Sequence, residues 1–192
     1  MKSFRISRIN RLFAPVALVT MAALCFAQNS VIDLDGKVVD PLKSNDGKVV
    51  VLLFVRDDCP ISRRYAPTIR QISGNHLSDA RFYLVFPDKN ESTADIRKFL
   101  TEFHYGVPSL RDSAHDLVKT AHAEVTPQAA VFDARGTLVY EGRIDNLYET
   151  FGRSRPAATT HELEDAIAAA VAGRPQPISR TTAIGCYISD LD

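Results

Sequence analysis

Residues 49–72 read VVVLLFVRDDCPISRRYAPTIRQI, and the character of the chain changes at the cysteine in their middle. Val49 to Val55 is an unbroken apolar run rich in β-branched residues. Such a run is a strand buried on both faces, as at the centre of an α/β sheet. Beyond it, Ile61, Tyr65, Ile69 and Ile72 recur at helical spacing, with Arg63, Arg64 and Arg70 between them. Pro60 suits a first helical turn, where its missing N–H would have no partner anyway, and Pro67 should kink the helix. Cys59 therefore stands where a buried strand hands over to a helix. Helix N-termini carry partial positive charge and free N–H groups, which favour a thiolate. Arg56 and Arg63 add positive charge nearby; Asp57 and Asp58 oppose it and also offer a base beside the thiol.

Working outward, Asp35-Gly36 marks a hairpin within Val31 to Asp40, and Asp46-Gly47 a second turn. Phe82 to Phe86 reads as the next strand. Ser92 with Asp95 caps a helix reaching about Phe103, with Ile96, Phe99, Leu100 and Phe103 on its inner face. Ser113 to Ala123 is a short helix. Ala129 to Phe132 and Thr137 to Tyr140 flank a turn at Asp133 to Gly136, which is a β-hairpin. Asp145 to Ala158 is a polar loop bearing Arg153 and Arg155, which could serve an anionic substrate or simply be solvated. Thr159 and Glu162 form a capping box for a last helix ending near Ala172, with Gly173 as its cap. The order implies an α/β fold: a central mixed β-sheet with helices on both faces.

The 192 residues suit one domain plus a targeting segment, and 45% hydrophobic residues supply a core. Lys plus Arg and Asp plus Glu number 23 each, a balance without the electrostatic footprint of a nucleic-acid binder. Residues 1–27 read as a signal peptide: Lys2, Arg5, Arg8 and Arg11 precede a short apolar stretch, Leu12 to Leu24, and Gln28 would become the N-terminus. An uncleaved anchor, or a lipoprotein site at Cys25, is the other reading; a membrane would be met only through that segment. Cleavage removes four basic and no acidic residues, leaving 19 against 23 and a net charge of −4. The mature domain, 28–192, ends in a tail from about residue 174, and the expected location is periplasmic or secreted. Of the three cysteines, Cys59 and Cys186 remain.

Cys59-Pro60-Ile61-Ser62, with Pro67 eight residues after the cysteine, resembles the thioredoxin C-x-x-C motif and its helix-kinking proline. Thr126-Pro127 before the hairpin looks like the cis-proline loop of that fold. Val139 to Asn146 and Thr182 to Ile188 resemble the "Y-x-G-R-I-D-D" and terminal "G-C-x-I" segments of peroxiredoxin-like redoxins related to the AhpC/TSA superfamily. The resemblance covers about residues 31 to 190. It implies a thioredoxin-like fold, with Cys59 as nucleophile, Ser62 and the helix N-terminus stabilising its thiolate, and Thr126, Pro127 and Pro60 positioning a partner. It implies thiol–disulfide oxidoreductase or peroxiredoxin-like antioxidant chemistry without a cofactor. The partners would be a thiol or disulfide protein or a small peroxide, plus an external reductant. Two departures narrow this. Ser62 replaces the second cysteine, so exchange cannot be completed within the motif. Leu52 and Arg56 stand where the P-x-x-x-T-x-x-C peroxiredoxin signature has Pro and Thr.

Three roles stay open for Cys186: resolving thiol, partner in a structural disulfide, or half of a copper or zinc site helped by histidine. His115 and His122, seven apart, could share a helix face for the last of these. The non-catalytic alternative is a redoxin scaffold acting as a binding module.

Overall fold

The computed structural model describes residues 31–43 and 46–189, together with Met1 and Leu191. The rest of the expected signal peptide and Gln28 lie outside the described residues.

The hairpin expected at Asp35-Gly36 is β1 (Val31–Asp33) and β2 (Val38–Val39). The apolar run is β3 (Val49–Phe54), in which every residue is buried. Helix α1 (Pro60–His76) continues through Pro67 and is followed by β4 (Ala80–Phe86) and α2 (Thr93–Glu102). Next come β5 (Ser109–Arg111), α3 (Asp116–Thr120) and β6 (Val125–Thr126). The hairpin is β7 (Gln128–Phe132) and β8 (Leu138–Gly142). A small ribbon, β9 (Tyr148–Thr150) and β10 (Arg153–Ser154), precedes α4 (Glu162–Val171), and β11 (Cys186–Tyr187) lies in the tail.

Seven strands form one sheet in the order β2-β1-β5-β4-β3-β7-β8. β3 runs parallel to β4 and antiparallel to β7, which puts the most apolar strand at the centre. Its alternation divides the core. Val49, Val51, Leu53 and Val55 pack with Ile61, Tyr65, Ile69 and Ile72 of α1, Ile96 and Phe99 of α2, and Leu163 and Ile167 of α4. Val50, Leu52 and Phe54 face the other way, against Leu117 and Val118 of α3 and Ile188 of the tail. The expected mixed sheet with helices on both faces is thus present, three helices on one side and one short helix on the other.

Three local expectations change. β5 was not foreseen, nor was the β9–β10 ribbon within the polar loop. The capping box at Thr159 and Glu162 does not form: α4 begins after His161 with no side-chain cap. Asn146 takes the residues before it instead, its Oδ1 accepting the N–H groups of Thr159 at 2.7 Å and Thr160 at 3.2 Å. Glu162 is drawn to Arg143 and accepts the Thr160 hydroxyl at 2.6 Å. At α2, by contrast, Ser92 caps the N–H of Asp95 at 3.1 Å as read.

The tail is tied along β8. Glu141 N–H donates to Ser179 O, and Thr181 N–H to Glu141 O, both at 3.0 Å. The Thr181 hydroxyl meets the Tyr140 hydroxyl at 2.8 Å and accepts the Arg143 N–H at 3.0 Å. This approach requires Gly142, whose φ is +143° and whose missing Cβ would collide with the backbone and hydroxyl of Thr181. Gly142→Ala should cost about 2 kcal/mol or more in denaturant unfolding, through left-handed strain and lost tail contact. An unchanged unfolding midpoint would show that the tail does not depend on this contact.

Candidate functional site

β3 ends one residue before Val55, and the chain reaches Cys59 in four more. Cys59 is the N-cap of α1, in extended conformation, with Pro60 in the first turn and no acidic residue in that turn. Its carbonyl accepts the first helical hydrogen bond, from Arg63 N–H at 3.0 Å. The cysteine thus occupies the position where a side chain faces the unpaired N–H groups of the opening turn. It is 1% exposed. Its Sγ lies 3.1 Å from the carbonyl oxygen of Thr126. Ser62, also buried, accepts the Arg56 N–H on its Oγ at 3.4 Å, joining the strand end to the helix.

The Thr126-Pro127 peptide is cis. β6, which contains Thr126, pairs antiparallel with β11: Thr126 faces Cys186 and Val125 faces Tyr187. Ile188 N–H donates to Glu124 O at 2.9 Å, and the Thr126 hydroxyl reaches Cys186 O at 3.4 Å. Gly185 lets the tail come this close, because a Cβ there would meet the Thr126 carbonyl. The result is a Cys59–Cys186 disulfide across 127 residues, with Cα atoms 6.1 Å apart, within the usual span of such bonds. Cys186 is half-buried where Cys59 is enclosed.

The charged residues expected around Cys59 are engaged with one another. Arg56 pairs with Asp58 at 2.8 Å and Asp88 at 3.3 Å. Arg63 pairs with Glu102, donates to Asp57 O at 3.1 Å and lies over the Phe103 ring at 4.9 Å. Their positive charge is therefore shared with carboxylates. Arg153 and Arg155 both pair with Glu149. His115 and His122 do not share a helix face: the first caps α3 with its Nε2 3.0 Å from Pro87 O, and the second meets Glu141 at 2.7 Å. Among the described residues no three His, Cys, Asp or Glu side chains are grouped to hold a metal ion.

Two acids that sequence reading passed over support the site. Asp145 accepts the Tyr65 hydroxyl at 2.6 Å, and burial with this carboxylate raises the Tyr65 pKa. Glu91 lies beneath the loop that leads to Cys59. Its Oε1 accepts the Asp57 N–H at 2.7 Å, while its Oε2 is buried without a hydrogen-bond partner among the described residues. Burial pushes the Glu91 pKa up to about 8, against the pull of the Asp57 N–H and of Arg56. The sequence signal was a short acidic segment, with Asp88 and Glu91, between a strand and a helix cap.

A carboxyl held at a higher pKa folded than unfolded stabilises the fold below its unfolded value, roughly 4.3, and loses that contribution as pH rises through the folded one. Wild-type stability should therefore carry a decline between about pH 5 and pH 8 that Glu91→Gln lacks. Melting curves of both proteins across that window check this; parallel profiles would assign the decline elsewhere.

No curated protein matches the chain in sequence. Among solved structures, a hypothetical protein from Sinorhizobium meliloti is similar at 19% identity and TM-score 0.70, covering 83% of this chain and 88% of the other. An uncharacterised conserved protein from Geobacillus kaustophilus is similar at 23% identity and TM-score 0.69, covering 83% and 86%. A secreted Mycobacterium tuberculosis disulfide oxidoreductase homologous to Escherichia coli DsbE is similar at 18% identity and TM-score 0.53, covering 77% and 96%. These likenesses show the thioredoxin-like fold. The Redoxin family matches over residues 20–153, which include β3, Cys59 and the cis-proline loop, and the chain belongs to that family.

Proposed function

We propose that the protein is an exported thiol–disulfide oxidoreductase whose redox couple is Cys59 and Cys186. The observation that carries this reading is their pairing: an N-cap cysteine at a buried strand-to-helix junction, bonded to a tail cysteine on the cis-proline loop. Export is supported by the basic and apolar character of residues 1–27. A disulfide is also at home in an oxidising compartment.

The positions of these residues support the following reaction. In the reduced protein the Cys59 thiolate, favoured by the helix N-terminus, attacks one sulfur of a partner disulfide. The partner's other sulfur leaves with the electron pair. Ser62 cannot displace the bound sulfur, so Cys186 does. Its thiolate attacks Cys59 Sγ, the partner leaves as a thiol, and the Cys59–Cys186 disulfide remains. Thr126 and Pro127 present the backbone edge on which this happens, and Pro60 opens the helix without an unused N–H. A small peroxide is the other substrate class. There Cys59 would become a sulfenic acid, and Cys186 would displace water from it to give the same bridge. The replacement of the peroxiredoxin Pro and Thr by Leu52 and Arg56 favours the disulfide substrate.

Two observations favour a second, non-catalytic reading: Cys59 is enclosed, and the tail is hydrogen-bonded on both sides of Cys186. A permanently bridged binding module has the same features.

Reduced wild-type protein and Cys186→Ser, each given oxidised glutathione or hydrogen peroxide, separate these readings by intact mass. The wild type should close its internal bridge, and the variant should accumulate a glutathione adduct on Cys59. A Cys59 that reacts with neither faster than an unfolded thiol would establish the binding module. Reaction with peroxide alone would make the protein a peroxidase.

A further inference from the structure

The two halves of the bridge differ in burial: Cys59 is enclosed, whereas Cys186 is half-buried and lines a largely apolar pocket. A pocket of about 570 Å³ is lined by Val125, Phe151, Ile184, Cys186 and Tyr187 among others, with Thr150 as a polar member and no charged side chain among its described walls. Cys186 lies in that wall and Cys59 does not. Phe151 is 66% exposed and Tyr187 81%, and both share the pocket wall with Cys186. Scattered exposed apolar residues are ordinary, but exposed aromatic residues lining one pocket with a bridge cysteine describe an interaction site.

From this geometry we infer that the bridge is reopened by attack on Cys186, from a protein dithiol whose cysteine lies in an uncharged, apolar segment that fills the Phe151–Tyr187 pocket. The inference rests on the thiol-exchange reading above and names its electron donor by chemistry. The donor's thiolate attacks Cys186 Sγ. A new bond forms between the donor sulfur and Cys186, the Cys59–Cys186 bond breaks, and Cys59 leaves with the electron pair. That leaving group sits at the N-terminus of α1, and exchange is faster when the leaving thiol is the more acidic one. The donor's second thiol then displaces Cys186, so donor dithiol becomes disulfide while Cys59 and Cys186 become thiols. Charge argues for an apolar donor segment over glutathione. The pocket offers no cation to an anionic tripeptide, and the expected mature chain is itself negative, with 19 basic against 23 acidic residues.

Two synthetic cysteine peptides serve as probes on the oxidised full-length protein: neutral acetyl-Cys-Leu-Phe-amide and acidic acetyl-Cys-Glu-Glu-amide. Each rate is divided by the rate of the same peptide on the urea-unfolded, still bridged chain. After brief reaction, acid quench and alkylation, mass mapping locates the adduct. The inference requires the adduct on Cys186 with Cys59 alkylated, and a preference of about tenfold for the neutral peptide, within reach of burying one aromatic contact. Phe151→Ala with Tyr187→Ala removes two largely exposed side chains and should erase most of that preference at an unchanged melting midpoint. An adduct on Cys59, or equal normalised rates, overturns the inference while leaving thiol exchange standing. A native bridge that neither peptide opens, although both open it in urea, overturns the two together.

Discussion

β3 has no exposed side chain, and that burial on both faces is the constraint from which the site follows. A strand packed on one side by α1, α2 and α4 and on the other by α3 and the tail cannot shift its register without moving every side chain into the opposite core cluster and breaking the packing on both faces. Its C-terminal end is therefore held firmly in place. Five residues later, at Cys59, the chain must turn into α1, whose inner face of Ile61, Tyr65, Ile69 and Ile72 is required by the same core. Cys59 is pinned between two buried elements, at the one point of the turn where a side chain meets the opening of the helix.

The second half of the site comes from the opposite end of the chain and is held by different forces. Backbone pairing with Glu141, the hydroxyl cluster of Tyr140 and Thr181, and the pairing of Cys186 and Tyr187 with Val125 and Thr126 lay the tail across the cis-proline loop. Both close approaches depend on missing side chains, at Gly142 and Gly185. The apolar tail residue Ile188 is buried in the smaller core cluster, which continues the tail's anchorage past the bridge. Electrostatics is secondary: Arg56 and Arg63 are tied to Asp58, Asp88 and Glu102, and Glu91 supports the cysteine loop through a hydrogen bond to Asp57 N–H.

Much of this was legible in the sequence where the signal was local. The β3 run, the helical spacing after Pro60, the Ser92 cap and the turn at Asp133 to Gly136 each declare themselves within a dozen residues. β5 does not, because three residues after Pro108 become a strand only through β4 and β1 on either side. The Thr159–Glu162 box failed because Asn146 and Arg143, distant in sequence, offered those residues better partners. Cys59 and Cys186 were legible as candidates, and their pairing as one of the roles open to Cys186, but no local pattern spanning 127 residues could choose it. The Gly185-Cys186 dipeptide carried the trace of it. A glycine is what a tail needs to lie against the Thr126 carbonyl.

The central claim is that this bridge is a working redox couple rather than a permanent tie. Equilibrating the oxidised full-length protein in glutathione buffers of graded potential, and counting free thiols, tests it directly. A working couple should reach half-reduction between about −180 and −300 mV. A bridge that stays closed below about −300 mV would contradict the claim and make the Cys59–Cys186 bond a structural one.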